Sequence, residues 1–128
     1  MLTTGVDIIE IHRIKQVLDR YGERFLNRLF TSNEIHYCKG RAPNLAGRFA
    51  VKEATMKALG TGVRGVSWKD IEVVRADSGA PSVKLYGRAE DRAERLHVIE
   101  ISVSISHSRE YAVAFVVAQR DDQTELMK

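Results

Sequence analysis

The chain has 128 residues, 44% hydrophobic and 29% charged, with a net charge of +3 and a single cysteine. That length fits one core, and the balance of apolar and charged residues excludes wholesale disorder and a fibrous repeat. Cys38 stands alone, which excludes an intrachain disulfide and a four-thiolate zinc site within one subunit and fits a reducing cytoplasm.

The first predicted strand is Leu2 to Asp7. Asp7 and Glu10 interrupt any apolar stretch there, so an export signal is not expected. Ile11, Ile14 and Leu18 then recur at helical spacing, Gly22 ends or bends that helix, and Phe25, Leu26 and Leu29 resume an apolar face. Arg13, Arg20, Arg24 and Arg28 fall opposite the stripe. Thr31-Ser32-Asn33-Glu34 matches a capping box with Phe30 and Ile35 at the staple positions, and this assigns Glu34 to structure before chemistry. The next helix is expected to be capped by Asn44 and to run to about Gly60, a residue suited to the left-handed position beyond a helix end. Gly60-Thr61-Gly62-Val63-Arg64-Gly65 matches a dinucleotide fingerprint formally. It follows a helix where the fingerprint joins a strand to a helix, so it reads as helix termination.

Ile71 to Ala76 and Ser82 to Tyr86 read as a hairpin across Asp77-Ser78-Gly79-Ala80-Pro81, followed by a short helix from Arg88 to Leu96. Ile101 to Ser106 and Tyr111 to Ala118 form a second antiparallel pair. Strict alternation from Ile101 to Ser106 puts aliphatic groups on one sheet face and serines on the other, so one face is wet or meets polar matter. The longest apolar run, Ala112 to Ala118, has seven residues, whereas a membrane-spanning helix needs roughly 20. The domain is expected over residues 1–118, with a tail over 119–128. The fold class is α+β, a mainly antiparallel sheet packed on a long central helix.

That helix is the most informative segment. Leu45, Phe49, Met56 and Leu59 form a large apolar stripe and Ala46, Ala50, Ala54 and Ala58 a row of small residues. Arg48, Lys52, Glu53 and Lys57 are therefore charges on a largely buried helix, where they are costly without partners. Glu53 and Lys57, four apart, suit an intrahelical ion pair. The alanine row beside them, read as open surface through which an anion or a metal complex approaches, favours a functional pair over that ion pair.

Arg48-Phe49-Ala50-Val51-Lys52-Glu53-Ala54-Thr55-Met56-Lys57-Ala58 resembles the helical motif of phosphopantetheinyl transferases, in which Lys-Glu-Ala is followed by a lysine three residues beyond the alanine. Gly5-Val6-Asp7-Ile8-Ile9-Glu10-Ile11-His12-Arg13-Ile14 is similar to the N-terminal segment of the holo-acyl-carrier-protein synthases within that family. Phe30 to Glu34, Trp68 to Val73 and Ser104 to Ser108 match in the same order, so the resemblance spans roughly residues 4 to 118. Larger relatives commonly carry Trp where Phe49 stands. The resemblance implies the phosphopantetheinyl transferase fold as a single half-unit. It also implies a transferase of lipid and fatty acid biosynthesis that moves phosphopantetheine from coenzyme A to a serine of apo-acyl carrier protein and releases adenosine 3′,5′-bisphosphate.

By the same resemblance, Asp7 and Glu53 are the Mg²⁺ ligands. Glu53, or a metal-associated water that it orients, accepts the serine proton, and Lys57 stabilises charge on the phosphate. Arg48 and His107 hold the adenosine end and its phosphate, and Arg13 contacts the carrier. For Asp7 the alternative is a helix N-cap ahead of Ile8; for His107 it is an ordinary turn residue. Three subunits with sites between them are expected, because larger transferases contain two similar halves and this chain has the length of one. The competing class is a small basic nucleic-acid-binding module using the arginine face. No RNA-binding motif or stacking aromatic pair supports it, and nucleic acid and membrane are not expected partners.

Overall fold

A computed structural model describes residues 1–121 of the chain. Strand β1 (Leu2–Glu10) leads into helices α1 (Ile11–Tyr21), α2 (Glu23–Leu29), α3 (Ser32–Cys38), the long α4 (Ala42–Leu59) and the short α5 (Gly62–Gly65). A 3₁₀ turn at Trp68–Asp70 precedes strands β2 (Ile71–Arg75) and β3 (Pro81–Leu85), helix α6 (Gly87–Arg95), and strands β4 (Val98–His107) and β5 (Tyr111–Arg120). The three-stranded sheet has the order β1-β5-β4, antiparallel throughout, and β2 with β3 forms a separate antiparallel hairpin. The fold is α+β, as expected. No helix among the described residues is long and apolar enough to cross a membrane.

The expected local signals organise the first half. Ile11 and Ile14 are buried on α1, which ends at Gly22 at φ 54°, and Phe25 and Leu29 continue the buried face on α2. The capping box forms in both directions: the Glu34 amide donates to Thr31 Oγ1 at 3.3 Å and the Thr31 amide donates to Glu34 Oε1 at 2.9 Å. Two boundaries differ. β1 continues to Glu10, so Asp7 lies inside a strand and caps no helix. Helix α4 starts at Ala42 after Arg41, with Pro43 in its first turn, where a missing N–H costs nothing. Asn44 is accordingly the third helical residue and not the cap. Gly60 does end α4, at φ 69°.

The alanine row is not open surface. Ala46, Ala50, Ala54 and Ala58 are buried under the sheet, where β5 presents Ala112, Ala114, Val116 and Ala118. Small residues on both elements let the helix approach closely, and Gly5 marks the tightest point: a Cβ there would lie 1.8 Å from the Ala54 carbonyl oxygen. On the opposite sheet face the β4 serines are exposed, as the alternation predicts, but they share that face with Val6, Ile8, Phe115 and Tyr111, each 44 to 63% exposed. Val6 lies across from Phe115, which lies across from Ser104. The outer face is therefore apolar over Val6, Ile8, Tyr111 and Phe115 and polar over the β4 serines. β5 continues through Gln119 and Arg120, two residues past the expected domain boundary, and the Arg120 amide donates to the Met1 carbonyl at 2.8 Å. Residues 122–128 of the expected tail lie outside the described residues.

Candidate active site

The inward side of β1 carries Asp7, and α4 crosses beneath it with Glu53 and Lys57. Lys57 Nζ donates to the Val6 carbonyl at 2.9 Å and lies 3.4 Å from Asp7 Oδ1, so its ion-pair partner is Asp7 on the strand. Glu53 is half-buried against the same aspartate. Burial first, then the Asp7 charge and a hydrogen bond to Asp7, push the Glu53 carboxyl up to about 7, while Lys57 pulls it down. Two carboxylates brought together make a pair that a cation would satisfy.

Arg48 and His107 also come together. Both line a cavity of about 130 Å³ with Gly47, Val73, Arg75 and Ile105. Arg48 is 5% exposed; its guanidinium lies 4.1 Å from the centre of the Tyr37 ring and leaves its buried Nε without a partner. Arg75, 5.3 Å from the same ring, was not singled out by sequence; a strand-terminal arginine outside any motif carries no signal of its own. Two arginines and a histidine around one small cavity favour an anionic group.

The carboxylate pair and the arginine cavity lie on different sides of the chain. β1 and β4 are the two edges of the sheet, with β5 between them, and the buried alanines of α4 fill the space below. The cavity lining does not include Asp7, Glu53 or Lys57.

Arg13 is exposed on α1. Arg24 and Arg28, of the same predicted basic face, border a groove of about 570 Å³ walled by Val17, Phe25, Leu29 and Trp68. Trp68 stacks on Phe49, with ring centres 5.2 Å apart. Gly60 to Gly65 terminates α4 and forms α5, so the formal dinucleotide match binds no nucleotide in the manner of a strand-to-helix turn.

A sequence model described as the 4'-phosphopantetheinyl transferase superfamily matches residues 3–116, and the chain belongs to that family. A holo-[acyl-carrier-protein] synthase of Dehalococcoides mccartyi is 55% identical over 119 residues, which cover 93% of this chain and 99% of that protein. The crystal structure of the Helicobacter pylori holo-[acyl-carrier-protein] synthase in complex with coenzyme A superposes with a TM-score of 0.83 at 34% identity, covering 91% of this chain and 99% of that one. A holo-(acyl-carrier-protein) synthase from Bacillus anthracis, in complex with CoA (3',5'-ADP), gives a TM-score of 0.76 at 40% identity over 93% of this chain and 96% of that one. Within its family the chain is thus of the holo-[acyl-carrier-protein] synthase type, and it is a transferase.

Proposed function

We propose that the chain transfers phosphopantetheine from coenzyme A to a serine hydroxyl of apo-acyl carrier protein in a Mg²⁺-dependent reaction, releasing adenosine 3′,5′-bisphosphate, and serves lipid and fatty acid biosynthesis in the cytoplasm. The observation that carries this reading is the Asp7–Glu53 pair with Lys57 beside it. The serine oxygen forms a bond to the phosphorus that bears pantetheine, the bond from that phosphorus to the adenosine bisphosphate oxygen breaks, and the hydroxyl proton departs.

The donor set fits Mg²⁺, which takes few carboxylates and completes its shell with phosphate oxygens and water. Asp7 and Glu53 would hold it; when bound it neutralises charge on the pyrophosphate. Glu53 accepts the serine proton at a carboxylate oxygen or through a water that it orients. Lys57, exposed beside Asp7, stabilises the charge on the leaving phosphate. Arg48 and His107 hold the adenosine phosphate in their cavity, joined by Arg75. Arg13, with Arg24 and Arg28 at the groove rim, meets the acidic carrier.

Two features support a homotrimer with sites between subunits: the exposed apolar outer face of the sheet, and the position of the carboxylate pair and the arginine cavity at opposite edges. Incubation with coenzyme A, Mg²⁺ and an apo-acyl carrier protein, followed by intact mass measurement, tests the central reading. The carrier should gain the mass of one phosphopantetheine; folded enzyme that modifies none of several carriers in the presence of metal overturns it.

A further inference from the structure

Lys52 precedes Glu53 on α4 and points the other way, into the core. Its ammonium is fully buried and donates to three acceptors from two other segments: Glu34 Oε1 at 2.7 Å, the Trp68 carbonyl at 3.1 Å, and the Ile71 carbonyl. Glu34, also fully buried, is held in turn on both oxygens, accepting from the Thr31 amide at 2.9 Å and from the Val73 amide at 3.0 Å. One residue beyond Glu53, the Ala54 carbonyl lies against Gly5 so closely that no Cβ fits between them. Glu53 therefore sits between two fixed points on opposite sides of its helix. A buried ion pair is a weak source of stability beside well-packed apolar residues of the same volume, and its directional bonds are better suited to holding one geometry.

We propose that Glu34 and Lys52 are positioning residues for the transfer reaction: their buried pair sets the rotation of α4 about its axis and so the placement of the Glu53 carboxylate against Asp7. A side-chain tip rides about 5 to 6 Å from a helix axis, so about 10° of rotation displaces it by about 1 Å. An error of that size costs on the order of 10²-fold in rate. This inference rests on the reading of Asp7 and Glu53 as the metal ligands.

Removing one partner would strand the other charge, so both are replaced together, as Glu34→Gln with Lys52→Met. A second double variant, Glu34→Gln with Lys52→Gln, keeps a neutral donor near the Trp68 and Ile71 carbonyls. Far-ultraviolet circular dichroism and melting report the fold, Mn²⁺ binding followed by electron paramagnetic resonance reports the carboxylate pair, and steady-state transfer separates kcat from KM. The expected result is a folded protein whose kcat falls on the order of 10-fold to 100-fold, whose KM for coenzyme A and for carrier is unchanged, and whose Mn²⁺ affinity drops in parallel. Folded variants that keep parental kcat and Mn²⁺ affinity overturn the positioning role. Loss of the fold in both double variants also overturns it, by making the pair a requirement for stability. If the parent itself neither binds Mn²⁺ nor transfers, it is the reading of Asp7 and Glu53 that fails.

Discussion

At Glu53 burial and a neighbouring aspartate act in the same direction, and the consequence is measurable without substrate. The folded carboxyl titrates at about 7 against an ordinary value of 4.5, so the folded state holds this proton more tightly than the unfolded chain. Its contribution to stability is fully present below the ordinary value and is lost as pH rises through about 7. Metal-free protein should melt at progressively lower temperature across that window, Mg²⁺ should restore most above neutrality, and Glu53→Gln should flatten the pH slope while abolishing most turnover. Thermal melts on both sides of neutrality, with and without Mg²⁺, decide this; an unchanged slope in Glu53→Gln removes the coupled pair from the account. Arg13 offers a second test at this scale. It is exposed and has no proposed role in the chemistry, so Arg13→Glu should raise the carrier KM and reduce the salt sensitivity of transfer while leaving coenzyme A affinity in place. Equal loss toward both substrates would mean damage to the site instead of the docking face.

Helix α4 converts these residues into a site, because its alanines bring it close beneath β1 and β5 and its flanks carry the charges. The closeness depends on Gly5, which has ordinary backbone geometry and is needed for space alone: an added methyl would meet the Ala54 backbone, which cannot rotate aside. Gly5→Ala should therefore cost stability at or above the upper end of the roughly 1 to 3 kcal/mol typical of overpacking. Denaturant melts would register it as a lowered midpoint with an unchanged slope; a neutral result would show that the helix can shift. Much at this scale was legible in advance. The Thr31–Glu34 box, the Gly22 and Gly60 breaks, both hairpins and the serine alternation depend on residues a few positions apart. The start of α4 was not legible, because Arg41 makes no side-chain cap and Pro43 in the first turn resembles a break when read without its backbone. The burial of the alanine row is not legible for a related reason: helical spacing shows that small residues share a face but not whether that face meets water or another backbone.

Across the whole molecule, the carboxylate pair at the β1 edge and the Arg48–His107 cavity at the β4 edge predict that each complete site draws on two subunits. Light scattering should report a trimer at working concentration, and mixed subunits give the sharper test. Asp7→Ala and His107→Ala, each impaired alone, should regain part of the activity when refolded together, because some sites in the mixed ring then combine an intact Asp7 with an intact His107. No recovery from a demonstrably mixed oligomer would confine the site to one chain. The same prediction draws on the exposed Val6, Ile8 and Phe115, an apolar sheet face suited to contact with another chain.

The sequence by itself determined the class of fold, the local punctuation and the set of charged residues that match the family motif, because caps, turns and periodicity are written in short-range backbone geometry. It also determined that α4 carries more charge than a buried helix tolerates unaided. Which partner each charge takes follows from packing in three dimensions. Lys52 and Glu53 are neighbours in sequence, yet about 100° of rotation per residue sends one into the core toward Glu34 and the other toward Asp7. Lys57 meets Asp7 across 50 residues of chain, and Arg48 meets His107 through the pairing of β4 with β5 and the packing of α4 below. The Lys57–Asp7 encounter depends on how closely Gly5 lets the helix approach the strand, a long-range steric fact with no signature in the spacing of residues along the chain.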